Sequence, residues 1–119
     1  MLVADDEPYI GRIIQMKLES GPYRVELVHD GRAALQRLRS DERFDLVLLD
    51  IMMPHASGLD VLEQIRELPH RTSMPVIMLT AKGQEADRER AAEHGATDFL
   101  TKPFSPKKLL ARIDELFDH

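Results

Sequence analysis

Asp50 stands directly after the apolar run Leu46-Val47-Leu48-Leu49 and before Ile51-Met52-Met53-Pro54, and Asp5-Asp6 follows Leu2-Val3-Ala4. One more apolar run and one mixed run end in complementary chemistry. Val76-Ile77-Met78-Leu79 ends in Thr80, and the segment beginning at Thr97 ends in Thr101-Lys102-Pro103. If these ends lie side by side, three carboxylates, a hydroxyl and an ammonium share one site. Carboxylates at short range raise one another's pKa, and the usual relief is a proton, a cationic side chain or a metal ion. An all-oxygen set without His or Cys favours a hard cation, and a few carboxylates with room for water and phosphate oxygens suit Mg²⁺ better than Ca²⁺. Such an ion would offset the charge of a phosphoryl group, which makes Asp50 the candidate nucleophile. On this reading Asp5 and Asp6 hold the metal, Thr80 donates a hydrogen bond to a phosphoryl oxygen, and Lys102 pairs with the same charged group.

The elements that must position these residues are legible in the periodicity. Leu2 to Ala4, Leu46 to Leu49 and Val76 to Leu79 are continuously apolar, as central parallel strands covered on both faces are. Val25 to Val28 and Thr97 to Thr101 are mixed and read as edge strands. Helical stripes run through Ile10, Ile13, Ile14 and Leu18, through Leu59, Leu62 and Ile65, and through Leu109, Ile113 and Leu116. Asp6 or Glu7 before Pro8, and Ser105 before Pro106, place a capping side chain beside a proline near the first helical position. Gly31 and Gly58 open two further helices. Gln84 to His94 is charge-rich and offers mainly Ala86, Ala91 and Ala92 for burial, so its helix is expected to be weakly anchored. The resulting strand-helix alternation predicts a doubly wound α/β fold, a five-stranded parallel sheet flanked by five helices. Ligands of such sheets bind outside the carboxyl ends of the strands, where the acidic and basic residues gather.

Composition bounds the function. A chain of 119 residues with 43% hydrophobic content suits one domain, residues 1–119, with a real core. Without cysteine there is neither a disulfide framework nor a thiolate metal site. No apolar run approaches the roughly 20 residues that cross a bilayer, and Met1 to Ala4 meets Asp5-Asp6-Glu7 too soon for a signal peptide, so a cytoplasmic location is expected. A net charge of -5 argues against capture of nucleic acid by the domain itself. His55 and the other four histidines read as loop or surface residues without a metal-ligand context.

VADDEP, LVLLDIMMP, MLTA and LTKPF, in this order along the whole chain, resemble the receiver domain of two-component response regulators, the CheY-like superfamily. The resemblance implies the flavodoxin-like strand order 2-1-3-4-5. It implies that Asp50 is the phosphate acceptor, that Asp5 and Asp6 bind Mg²⁺ directly or through water, and that the Met52 carbonyl is a further ligand. The pattern D-x-x-M-P-x-x-x-G is present as Asp50, Met53, Pro54 and Gly58. Ala81 would leave space for the phosphoryl group, and Pro103 would follow a cis peptide that turns Lys102 into the site. Phe99 falls where receivers carry a switch aromatic that turns inward when Thr80 moves toward the phosphate; on residue type alone, an aromatic on a half-buried strand is more often simply packing. The implied donor is a phosphohistidine on a sensor histidine kinase or phosphotransfer protein.

AKGQEADRERA and TKPFSPKKLLARI resemble the OmpR/PhoB class, whose active receivers pair through the fourth helix, fifth strand and fifth helix. Arg88, Asp98 and Arg112 match that ion-pair surface. Thr97 and Lys108 stand where that class usually has acidic residues, and Asp114, Glu115 and Asp118 are acidic where it is often basic. Other classes account for the residues less well. A haloacid-dehalogenase-like phosphatase, also an aspartate-nucleophile Mg²⁺ enzyme, would carry its nucleophile at the first strand with a second Asp two residues later. A flavin binder needs a phosphate cradle where Asp5-Asp6-Glu7 would repel phosphate. A pseudo-receiver that only binds partners would normally lack the acidic pair, the acceptor or the lysine.

Overall fold

Successive residues of the apolar runs face opposite sides of one parallel sheet, and that alternation divides the core in two. The computed structural model describes residues 1–117. Its strands are β1 (Leu2–Ala4), β2 (Glu26–Val28), β3 (Val47–Asp50), β4 (Val76–Thr80) and β5 (Asp98–Thr101), hydrogen-bonded in the order β2-β1-β3-β4-β5. The helices are α1 (Pro8–Glu19), α2 (Gly31–Arg39), α3 (Gly58–Ile65), α4 (Glu85–Glu93) and α5 (Pro106–Leu116), with a 3₁₀ turn at Pro69–Arg71. Leu2, Ala4, Val47, Leu49, Val76 and Met78 pack with Ala34, Leu38, Leu62, Ile65 and Ala91 of α2, α3 and α4. Val3, Leu46, Leu48, Ile77 and Leu79 pack with Ile14 and Leu18 of α1 and Leu109 and Ile113 of α5. The expected five-stranded, doubly wound architecture is therefore the one observed. Parallel pairing aligns Ala4 with Leu49 and Asp50 with Leu79, so β1, β3 and β4 end at one rim.

Local chemistry fixes the helix starts. Asp30 Oδ1 accepts from Ala33 N at 2.7 Å, Ser57 and Asp60 form a reciprocal capping box, and Ser105 Oγ accepts from Lys108 N at 3.4 Å beside Pro106. Glu7 is the N-cap residue of α1 but makes no side-chain cap, because its carboxylate reaches Lys102 instead. Gly58 is required by close approach: a Cβ there would lie 2.3 Å from the Asp50 carbonyl oxygen.

Three expectations are corrected in detail. The edge strands begin one residue later, at Glu26 and Asp98, because pairing with β1 and β4 sets their start. Ile13 is exposed rather than part of the α1 core stripe; it lies beside Tyr9 and Met16, which are also exposed. Of the α4 alanines only Ala91 is buried, whereas Ala86 and Ala92 face outward. Asp118, read with the acidic end of α5, lies outside the described residues. Among the described residues no helix is long and apolar enough to cross a membrane.

Candidate functional site

Burial and strand register bring the carboxylates together. β3 is buried along its whole length and delivers Asp50 at its last position, 5% exposed; Asp5, one residue past β1, is 1% exposed. Asp6 and Glu7 lie beside them and are exposed. One carboxylate oxygen from each of Asp5, Asp6, Glu7 and Asp50 lies within 4.8 Å of the others. The chain after β5 returns Lys102 to this rim, with its N–H donating to the Thr80 carbonyl at 2.6 Å and a cis peptide between Lys102 and Pro103. Its Nζ lies 2.9 Å from Asp50 Oδ2, 3.0 Å from Asp5 Oδ2 and 3.0 Å from Glu7 Oε1.

Electrostatics follow from this packing. Burial pushes the Asp50 carboxyl up to about 6, against the hydrogen bond from Lys102; the nearby Asp5 charge raises it further, and the Met52 N–H at 3.3 Å opposes the rise. Burial lowers the Lys102 pKa, but the hydrogen bonds to Asp50 and Glu7 and the Asp5 carboxylate beside it outweigh that and hold the ammonium firmly protonated. Asp5 Oδ1 accepts from Glu7 N at 2.9 Å. Asp5 Oδ2 is buried beside the ammonium yet has no well-directed hydrogen bond. A buried carboxylate oxygen of this kind, facing other carboxylates, is a donor suited to a hard cation, so the residues fit Mg²⁺.

The other predicted residues are not all at this rim: Thr97 pairs with Val76 at the opposite end of the sheet. Thr80 is buried at the end of β4, and its hydroxyl engages β5, 3.5 Å from the Leu100 carbonyl and 3.3 Å from Thr101 Oγ1, rather than the carboxylates. Ala81 is exposed and donates its N–H to Gln84 Oε1 at 2.6 Å. Met52 has an exposed side chain, Met53 packs against the α2–α4 core, and the Pro54 carbonyl accepts from Gly31 and Ala56. Half-buried Phe99 lies under the Arg88 guanidinium, 4.8 Å from its ring centroid. Arg112 pairs with Asp98 within the chain. Thr97 Oγ1 accepts from Val76 N, and Asp114 accepts from the Tyr23 hydroxyl.

Sequence reasoning missed two residues at the rim. The proline pattern offers Asp6 or Glu7 as a helix cap, whereas the place of Glu7 in an unbroken acidic triplet with Asp5 and Asp6 is a signal that it belongs to the site. His29 Nδ1 lies 3.3 Å from the Asp5 carbonyl oxygen, a backbone contact that no motif announces.

A parallel sheet in 2-1-3-4-5 order with an acidic cluster and a lysine at its C-terminal rim defines a CheY-like α/β protein. The chain belongs to the response regulator receiver domain family, whose model matches residues 1–114. It is thus a receiver domain of two-component systems. It is 41% identical over 116 residues to the transcriptional regulatory protein ResD of Bacillus subtilis, covering 98% of this chain and 47% of that one. It is 44% identical over 113 residues to the transcriptional regulatory protein CpxR of Escherichia coli K12, covering 95% and 47%. The chain spans about half the length of these curated relatives. Among solved structures, a CheY-like receiver domain protein from Methanospirillum hungatei superposes with a TM-score of 0.90 at 31% identity, covering 98% of this chain and 91% of that one. The chemotaxis response regulator CheY4 of Vibrio cholerae superposes at 0.89 and 30% identity, covering 97% and 95%.

Proposed function

We propose that this receiver accepts a phosphoryl group on Asp50 from a phosphohistidine of a sensor histidine kinase or phosphotransfer protein, and that the modification shifts the α4/β5/α5 surface to control an output. The observation that carries this reading is the Asp50 carboxylate at a buried strand end, 2.9 Å from the Lys102 ammonium and within the acidic cluster. With its pKa near 6, Asp50 is ionised at neutral pH and competent as a nucleophile. A carboxylate oxygen attacks phosphorus, the P–N bond breaks with its electron pair returning to the imidazole, and an acyl phosphate forms. Mg²⁺, held by Asp5, Asp6, Asp50 and the Met52 carbonyl, would supply charge neutralisation at the phosphoryl oxygens. Lys102 pairs with one phosphoryl oxygen. Thr80 donates to another by exchanging its contacts with Leu100 and Thr101 for the phosphate. The domain promotes its own phosphorylation and hydrolysis rather than turning over a free substrate.

The switch then runs through β5 and α4. Movement of Thr80 opens space for Phe99, which carries no hydroxyl and so acts by packing alone. Its inward turn removes it from beneath Arg88. A dimer through α4, β5 and α5 would use Arg88, Asp98 and Arg112, the last two released from their mutual pair. The domain acts in the cytoplasm without contacting nucleic acid itself, in keeping with its net charge of -5.

The test is incubation with Mg²⁺ and a small phosphodonor, followed by intact mass measurement of the native protein and Asp50→Asn. A single phosphoryl adduct is expected on the native protein and none on the variant. No adduct on either, with no Mg²⁺ binding at millimolar concentration, overturns the reading.

A further inference from the structure

The ammonium of Lys102 is shared among three carboxylates that are not equivalent. All three belong to the cluster that could hold a cation, but the side chains of Asp5 and Asp50 are 0% and 7% exposed, whereas Glu7 is 57% exposed at the mouth of the site. A dication taken up by Asp5 and Asp50 would draw on the same carboxylates that hold Lys102 and would repel the ammonium at close range. Without another partner the lysine would swing into solvent, away from the position where it meets a phosphoryl group. Glu7 is placed to prevent this. Its N–H is fixed to Asp5 Oδ1 at 2.9 Å, it stands at the N-cap position of α1, and its carboxylate serves no cap, leaving it directed at Lys102.

We propose that Glu7 is a positioning residue that retains the Lys102 ammonium at the site mouth when a divalent cation occupies the Asp5/Asp6/Asp50 cluster, and so sets how readily the cation displaces the lysine. This rests on the receiver reading above. In the present arrangement Glu7 shares the ammonium with the buried pair; with the cation bound it becomes the ammonium's main partner. Its effect on cation binding therefore passes through Lys102, which separates it from a simple ligand or a nearby negative charge.

The test is a Mg²⁺ titration followed by amide NMR shifts near Asp6, Met52 and Thr80 in four proteins: native, Glu7→Gln, Lys102→Met and the double variant. Lys102→Gln replaces Lys102→Met if the latter does not fold. Glu7→Gln is expected to weaken Mg²⁺ about three- to tenfold in the native background and less than about twofold when Lys102 is absent, with Lys102→Met alone binding more tightly. Equal weakening in both backgrounds overturns the proposal, because Glu7 would then act as a ligand or a bare charge. No weakening in either also overturns it. Failure of the receiver reading looks different: the native protein itself shows no saturable Mg²⁺ shift.

Discussion

β3 and α4 both border the acidic rim, and they are held in opposite ways. Every residue of β3 is buried between β1 and β4, and its side chains enter both halves of the core. α4 buries only Ala91. Besides the Arg88 guanidinium over Phe99, its side-chain anchors cluster at its C-terminal end: Arg90 and His94 reach Glu63 of α3 at 2.7 and 3.3 Å, and Arg66 donates to the His94 and Gly95 carbonyls at 3.2 and 2.9 Å. The end of α4 nearest Thr80 and Ala81 is tied chiefly by backbone and by Gln84. A carboxylate that must meet a phosphoryl donor in one geometry sits on the rigid element. The surface proposed to report the event lies on one that can move at small cost.

The largest effects should fall on the rigid side. Leu48, fully buried beneath α1 and α5, is expected to lose about 2–5 kcal/mol on substitution by Ala, measured by urea unfolding. A loss under 1 kcal/mol would mean that β3 is not the rigid support described. Gly58→Ala comes next. Its Cβ would meet the Asp50 carbonyl, an immobile backbone atom, so about 1–3 kcal/mol should be lost, with shifted amide resonances at Ile51 and Met52. Unchanged resonances would show that the start of α3 does not constrain the Asp50 turn.

Asp50 itself carries a cost of burial with a definite pH signature. Its folded pKa of about 6 exceeds the unfolded value of about 3.9, so the folded state holds the extra proton. Below pH 4 both states are protonated and the site costs nothing. Between pH 4 and 6 stability falls as pH rises, and above 6 the full penalty stands. Asp50→Asn removes it and should stabilise the protein at pH 7 by about 1–2 kcal/mol in EDTA, with no gain near pH 4. Equal stability of the two proteins at pH 7 would place the Asp50 carboxylate in a better solvated setting than its 5% exposure indicates.

What was legible in the sequence divides along the same line. Continuous apolar runs ending in Asp50 and Thr80 fixed the central strands and the rim, because burial on both faces leaves no other pattern. Edge strands and α4 were less legible, since their half-exposed residues are set by neighbours rather than by their own periodicity. Ile13 fits the helical stripe of α1 yet points outward, because a 3.6-residue period does not say how wide the covered face is. Glu7 differs for another reason: an acid before a proline is a good capping signal that competes with the acidic triplet, and the return of Lys102 after β5 shows where that carboxylate goes.

The smallest effect tests the mobile side. Glu63 is the side-chain anchor shared by Arg90 and His94, but the Arg90 pair is largely solvated, so Glu63→Gln should cost only about 0.5 kcal/mol. The informative measurement is local. Amide exchange along α4 should quicken by about twofold while exchange in β3 and β4 stays unchanged, because α4 would open alone rather than with the sheet. If β3 amides quicken equally, α4 unfolds only together with the core. A helix so coupled could not shift without loosening the strand that holds Asp50, and the separation of a fixed acceptor from a movable reporter would fail.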